Sequence, residues 1–409
     1  MSNNTRTERQ KLCLKRWVES NCKATIVAST GFGKTRMAMM AIELLLRHKT
    51  DAYIIISVPT QYLKNQWIEE LTKYSFLDNC DVIVTNTIIK HQYTCDLLII
   101  DECHRVAATV FASIFVSVKY SMILCLTATI ERLDGKESII KQHAPVCDTI
   151  TLEEATKNGW VSPVKNYLVL LNVDLTEYKE LDRKFNSYFS FFDWNFNIAM
   201  KALQDWRFRN QYAKQMGSDP KTVLQMSAQW MKALHARKAF IENHPKKIEV
   251  CRQIIDARQD TKGIMFCPTI KFANSIKRGV VLHSGKKDSE NKRTIDEFNK
   301  ADKGWLASSR MLNEGADIQG LTVGIKMNVD SSKITSVQTA GRVCRFAPNK
   351  TAEMFTLVIK GTQEVKWFNN SNTVKCIVID TEEKLQKVLN HEDIETRERD
   401  LNQNLDFRF

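Results

Sequence analysis

The sequence predicts an α/β protein with two doubly wound parallel sheets and a helical insertion in the second. Three observations support this. Short runs rich in Ile, Val and Leu alternate with amphipathic stretches over the first 150 residues, and the alternation returns after about residue 245. The stretch between is aromatic, basic and nearly free of strand pattern. Strands of a parallel sheet are covered by helices on both faces, so they read as continuous apolar runs.

In order, "KATIVAS", "AYIIISVP", "DVIVTNT", "DLLIID" and "MILCLTAT" are the expected strands of the first sheet. Helices are expected between them, at stretches such as "TRMAMMAIELLLRH" and "QYLKNQWIEELTKY". In the second sheet the corresponding runs are "GIMFCPT", "GVVLHSG", "GWLASSR", "TVGIKMNV" and "EMFTLVIKG". Strand–helix alternation of this kind builds doubly wound units. The expected domains are residues 1–150 and 151–409, the second interrupted by the insertion at about 174–244. Two such units leave a cleft between them, where ligands commonly bind.

The insertion holds Phe185, Tyr188, Phe189, Phe191, Phe192, Trp194, Phe196, Trp206, Phe208, Tyr212 and Trp230, interleaved with lysines and arginines. Such rings can pack into a small helical core, the role expected for most of them. A few can also stack on nucleic-acid bases, and both roles can hold together.

Composition narrows the class. With 409 residues, 43% hydrophobic and 26% charged, the chain reads as a soluble globular protein. No apolar run approaches the roughly 18 residues of a membrane span. The polar start "MSNNTRTERQ" is not a secretory signal, and a cytoplasmic location is expected. The 11 cysteines are scattered without a CxxC pair, so neither a zinc site nor a disulfide framework is indicated. A net charge of +12 and a pI near 9.1 favour a polyanionic partner.

The chemistry concentrates in a few motifs. "ASTGFGKT", Ala28 to Thr35, follows the first strand and opens a helix. There, backbone N–H groups can turn inward around phosphates, and the helix N-terminus adds positive potential. Gly31 and Gly33 permit the turn, while Thr30, Phe32 and Arg36 complete the binding segment. Lys34 would reach the β- and γ-phosphates, and the Thr35 hydroxyl would ligate Mg²⁺. Ala28 stands where the general pattern has its first glycine. "LLIIDECH" ends another buried strand with Asp101, to hold Mg²⁺ through water, and Glu102, to polarise the attacking water. His104 would couple the nucleotide to the second domain. In "QTAGRVCRF", Arg342 and Arg345 are three positions apart. On a helix they share a face and require an anion between them.

Taken in order, "ASTGFGKT", "VPTQYLKNQW", "DECH", "LTATIERLDG", "LNEGADI" and "QTAGRVCR" resemble the motifs of superfamily 2 helicases. The XPB/UvsW-like and type III restriction-like members are the nearest. The resemblance implies two RecA-like domains that hydrolyse ATP between them, with Mg²⁺, and step along nucleic acid. It assigns Leu126 to Thr129 to linking ATP with strand separation, and Gly315 and Asp317 to the nucleotide. Gln338, Arg342 and Arg345 fall on the γ-phosphate side, so the anion between the arginines would be the triphosphate. Gln10 becomes an adenine reader, with Arg9 where the family often has an aromatic ring. Pro59, Thr60, Thr85, Asn86 and Thr269 fall on the strand-binding surface, where small polar groups suit backbone phosphates. The leading expectation is a DNA helicase or translocase. The alternatives are an RNA helicase and a non-catalytic nucleic-acid clamp, the latter opposed by the intact Lys34, Asp101, Glu102, Arg342 and Arg345.

Overall fold

The computed structural model describes residues 2–106, 111–130, 137–283, 285–309, 318–329, 351–371, 375–392 and 394. The chain opens with α1 (Ser2–Glu19), β1 (Lys23–Ala28), α2 (Lys34–His48), β2 (Ile54–Val58) and α3 (Gln61–Lys73). There follow β3 (Cys80–Val84), α4 (Thr85–Ile88), β4 (Tyr93–Asp101), α5 (Ile114–Ser117), β5 (Val118–Thr127), α6 (Glu137–His143), β6 (Val146–Ile150) and α7 (Leu152–Lys157). The six strands form one sheet in the order β3-β2-β4-β5-β1-β6, and every pairing is parallel.

Side chains of a strand alternate between faces, and here both faces are buried. Ile54, Ile56, Leu97 and Ile99 join one apolar cluster, while Ile55, Leu98 and Ile100 join another on the opposite side. That two-sided burial is the physical content of the unbroken apolar runs. All strand C-termini of a parallel sheet emerge at one edge, so the segments after β1, β4 and β5 gather there.

The second unit begins with β7 (Val164–Leu171), leaves the sheet for helices, and returns with α12 (Pro245–Ala257), treated after the intervening helices. Those are α8 (Thr176–Ser190), α9 (Phe196–Gln204), α10 (Trp206–Gln215) and α11 (Pro220–Asn243). After α12 come β8 (Lys262–Cys267), α13 (Ile270–Ile276), β9 (Val280–Leu282), α14 (Asp288–Lys300), β10 (Gly304–Ser309) and β11 (Val323–Lys326). β12 (Ala352–Ile359), α15 (Gln363–Ser371), β13 (Ile377–Ile379) and α16 (Glu382–Leu389) complete the described elements. The second sheet runs β13-β7-β12-β11-β8-β10-β9 and is also parallel throughout. Its β8 again divides its side chains, Ile264 and Phe266 to one cluster and Met265 and Cys267 to the other.

The four helices α8 to α11 form an arm with an apolar core of its own. Phe185, Phe192, Tyr212 and Trp230 are buried in it, and Tyr188, Phe189, Phe191 and Phe208 are partly buried against it. Trp194, Phe196 and Trp206 stay exposed. The Arg237 guanidinium lies 3.7 Å from the Phe185 ring centroid and pairs with Asp182 at 2.6 Å. At its base the arm is tied to the start of α15, where Gln363 N–H donates to the Tyr178 hydroxyl at 2.8 Å.

One ion pair is sealed inside the second unit. Lys247 Nζ meets Glu364 Oε1 at 2.7 Å, and both side chains are 0% exposed. Glu364 also accepts from the Val329 N–H at 3.1 Å and the Ile359 N–H at 2.9 Å. A buried charge tolerates burial only when paired and hydrogen-bonded, and here the carboxylate accepts from three donors. It fastens α12, α15 and the ends of β11 and β12 together. The units touch where Tyr62 packs against the second unit's apolar cluster.

Candidate active site

The glycine loop leaves β1 and enters α2 through two left-handed glycines, Gly31 at φ 85 and Gly33 at φ 101. L side chains rarely adopt such angles. Space adds a second constraint at Gly33, where a Cβ would stand 2.6 Å from Gln10 Nε2 and 3.3 Å from Arg6 Nη2. α1 presents Arg6 and Gln10 one turn apart, and both grip the loop. Arg6 donates to the carbonyls of Gly31 and Phe32, the latter at 3.0 Å, and Gln10 Nε2 donates to Phe32 O at 2.9 Å. Phe32 is fully buried and meets Trp160 edge-on at 5.4 Å. Thus the loop is held by α1 from outside and by an aromatic anchor beneath.

Two buried polar atoms beside this loop, Gln10 Oε1 and Ser29 Oγ, lack hydrogen-bond partners among the described residues. Buried polar groups are normally satisfied, so both fit a loop that expects a polar ligand. Lys34 opens α2 with 11% of its side chain exposed, and Thr35 and Arg36 follow on the first turn.

The acidic partners arrive from β4. Asp101 is its last residue, is 9% exposed and accepts from Trp67 Nε1 at 2.9 Å. Burial, with the adjacent Glu102 carboxylate, pushes the Asp101 carboxyl up to about 6 against the pull of Lys34 and Trp67. Glu102 turns left-handed at φ 50, a conformation that costs a non-glycine residue on the order of 1 kcal/mol or more. The turn brings Glu102 Oε1 to 3.9 Å from Lys34 Nζ. Its other oxygen is 3.4 Å from His104 Nδ1, which also contacts Thr127 Oγ1 at 3.0 Å. The Thr127 hydroxyl donates onward to Thr129 O at 2.7 Å. A hydroxyl has one proton, so the His104 Nδ1 position must carry the hydrogen that Thr127 accepts. Lys34, Glu102 and His104 thus lie in series at ion-pair distance, and hydrogen bonds continue from His104 to Thr127 and Thr129.

Arg9 has a structural commitment. It pairs with Asp148, whose side chain is 2% exposed, at 2.5 Å and with Glu154 at 3.0 Å. Arg16 reaches the same aspartate at 2.6 Å. Burial alone would raise the Asp148 carboxyl, but Arg9, Cys13 and Arg16 together outweigh it and hold it below the usual range. These pairs clamp α1 onto β6 and α7.

The residues expected to contact a strand divide three ways. Thr60 and Thr269 cap helices, accepting from Leu63 N–H at 3.3 Å and Phe272 N–H at 3.1 Å. Thr85 is buried, and its hydroxyl meets Ser57 Oγ and Val58 O, each at 3.0 Å. Asn86 is exposed and Pro59 half-buried. Gly315, Asp317, Gln338, Arg342 and Arg345 lie outside the described residues. Arg6 and Trp67 went unassigned from sequence, while Thr127 fell within the "LTAT" segment. Arg6 alone carried a usable signal, its spacing of four from Gln10.

The donor set suits a nucleotide triphosphate: inward-turned loop, lysine, hydroxyl and paired carboxylates at one sheet edge. Thr35 and Asp101 are the residues placed to hold a divalent cation. Among the described residues no cluster of His, Cys, Asp and Glu forms a dedicated metal cage, and no helix is long and apolar enough to cross a membrane.

The chain is similar to known proteins along most of its length. Residues 4–93 and 85–132 match the family described as type III restriction enzyme, res subunit, and residues 246–347 match the helicase conserved C-terminal domain. The chain is 27% identical over 383 residues to the DNA 3'-5' translocase XPB2 of Sulfurisphaera tokodaii, covering 87% of this chain and 82% of that protein. The helicase domain of Pyrococcus furiosus Hef superposes with a TM-score of 0.53 at 18% identity, over 88% of this chain and 98% of that one. Saccharomyces cerevisiae Dbp5 bound to RNA and ADP BeF3 superposes with a TM-score of 0.60 at 14% identity, over 93% and 92%. With one helicase family matched on each parallel sheet and an XPB2 relative aligned along most of the chain, the protein belongs to the superfamily 2 helicases, as an XPB-like, ATP-hydrolysing member.

Proposed function

We propose that the chain is a DNA helicase or translocase whose ATP site lies at the C-terminal edge of the first sheet. The observation that carries the reading is the meeting of Lys34 and Glu102 at 3.9 Å beside the buried Asp101. DNA is favoured because a relative aligned over 87% of the chain is a DNA translocase. Residues 1–150 form the nucleotide-holding domain and 151–409 the closing domain, with 174–244 as its arm.

In this reading Thr30, Gly31 and Gly33 offer backbone N–H groups to phosphate, and Lys34 neutralises the phosphate. Phe32 N–H closes the loop on Ser29 O at 3.1 Å, and its buried ring anchors it. Thr35 and Asp101 hold Mg²⁺, which would supply Lewis-acid charge at the phosphates. A bound cation favours the ionised form of Asp101, offsetting the burial that raises it. Glu102 orients and takes a proton from water, and its left-handed turn aims it there. His104 and Thr127 relay the position of Glu102 to the "LTAT" segment. Gln10 has an acceptor oxygen for adenine. Gly315, Asp317, Gln338, Arg342 and Arg345 belong to the closing side, where guanidinium charge is worth about 10³ to 10⁵ in rate in related phosphoryl transfer. Asn86 and Pro59 are the strand contacts best placed by exposure. Thr60, Thr85 and Thr269 act by shaping the backbone around them.

The test is ATP turnover with single-stranded, duplex and forked DNA beside RNA, followed by strand displacement. Stimulation by DNA well above RNA is expected, and Lys34→Ala should abolish turnover. Stimulation by RNA alone would move the chain to the RNA helicases. Absence of turnover in every case would leave a nucleic-acid clamp.

A further inference from the structure

The arm buries most of its rings yet leaves two outside at one place. Trp194 is 56% exposed and Phe196 53%. Trp194 leans edge-on against Phe189 with centroids 5.7 Å apart, and Phe196 leans on Trp230 at 5.4 Å. Phe189 and Trp230 stack on each other at 5.5 Å. The four rings thus form one unit, two plates outside and two supports within.

The backbone holds the outer plates in a disfavoured way. Asp193 and Trp194 are consecutive non-glycine residues at φ 48 and φ 57, a region uncommon for any bulky side chain. The turn is fixed on both sides. Trp194 N–H donates to Phe189 O at 3.3 Å, and the Asn195 side chain caps α9 through the N–H groups of Asn197 and Ile198. Below the plates, Trp230 is fully buried, and its Nε1 has no hydrogen-bond partner among the described residues. Packing alone explains neither the exposure nor the unmet donor.

Charge selects the occupant. Exposed Asp193 sits beside Trp194, and Arg183 on α8 pairs with Glu180 at 3.8 Å. Residues 174–244 nonetheless hold 11 Lys and Arg against 8 Asp and Glu, with Lys184 and Lys201 exposed, and the whole chain carries +12. A nucleic-acid strand matches that sign, and every base offers a π-face that stacks on a ring without sequence preference. α8 is 15 residues long, which sets the plates about 20 Å from the sheet edge where the helix begins. A ring can stack only on a base whose own face is free, which points to an unpaired strand.

We propose that Trp194 and Phe196 form a stacking platform for the unpaired bases of a nucleic-acid strand. The proposal rests on the nucleic-acid motor reading above and adds to it a specific contact on the arm. Binding of the full chain to a 20-nucleotide oligo(dT) and to an abasic strand of equal length and charge, read by fluorescence anisotropy, tests it. The wild-type chain should prefer oligo(dT) by on the order of tenfold or more. The double variant Trp194→Ala/Phe196→Ala should lose that preference and keep its affinity for the abasic strand, with ATP turnover in the absence of nucleic acid unchanged. Trp194→Phe should retain most of the preference. Equal wild-type binding to the two strands overturns the platform, whatever the variants do, and leaves the patch as a protein-docking face. Full preference in the double variant overturns it too. Failure of the motor reading looks different: no polynucleotide would stimulate turnover in the wild type.

Discussion

Thr60 and Thr269 occupy the same turn in the two sheets. Each follows a proline at the end of a parallel strand, β2 and β8, and each caps the next helix. Their backbone angles are φ −139, ψ 158 and φ −140, ψ 159. What surrounds the two turns differs. At the first sheet's edge the charged groups stay partly open, Lys34 at 11% and Glu102 at 23% exposed. At the second sheet's edge the described pair, Lys247 with Glu364, is closed at 0%. The shared turn is therefore a property of the fold, and access to charge is what separates chemistry from architecture.

Removing one carboxylate charge at each edge should break the parallel most sharply. Glu102→Gln keeps the shape and removes the proton acceptor, so turnover should fall by about 10² to 10⁴ while nucleotide affinity stays within a few-fold. Measured turnover beside nucleotide affinity checks this, and wild-type turnover would remove Glu102 from the reaction. Glu364→Gln should act on stability instead. It leaves Lys247 buried without its counter-charge, a loss of about 3–5 kcal/mol, read as a lower urea midpoint with an unchanged slope.

A subtler comparison sets Asp148 beside Glu364. Asp148→Asn also strips a buried partner, but Arg16 is 44% exposed and can return to water. Its stability loss should therefore be the smaller of the two. Smaller again are the caps. Thr60→Ala and Thr269→Ala should each cost about 1 kcal/mol, and equal losses in urea unfolding would confirm that the two turns are equivalent.

The least effect is expected in acid. The Asp148 carboxyl is held below its usual 3.8, so the unfolded chain takes up its proton first as pH falls. The stabilisation is complete above about pH 4 and disappears as pH drops through the folded value. Wild type and Asp148→Asn should therefore converge in urea midpoint below that pH. A difference that persists would mean the pair acts through packing.

The strands buried on both faces were legible because parallel sheets leave unbroken apolar runs. β6, β7 and β13 were not singled out, since Asp148, Lys165 and Asn166 interrupt two of them and the third is three residues long. The glycine loop and "DECH" were legible because their chemistry is written in consecutive residues. The grip of Arg6 was not, because it depends on how α1 rotates against the loop. Likewise nothing local distinguishes Thr85, whose hydroxyl is spent inside the sheet, from the exposed Asn86 beside it. Which rings of the arm face outward was hidden for the same reason: it is decided by two left-handed residues, Asp193 and Trp194, and no glycine marks them.

The place of β1 within the first sheet has a consequence during synthesis. Its hydrogen-bonded neighbours are β5 and β6, with Lys23 opposite Ile123 and Val27 opposite Thr149. The strand that delivers the glycine loop is thus translated early and paired late. At about 5–20 residues per second, it waits on the order of ten seconds for both flanks to emerge. Through that interval an apolar strand with two open edges is a target for chaperones and for other chains. A ribosome halted before Val118 would hold a chain that contains the whole glycine loop and no strand on either side of β1.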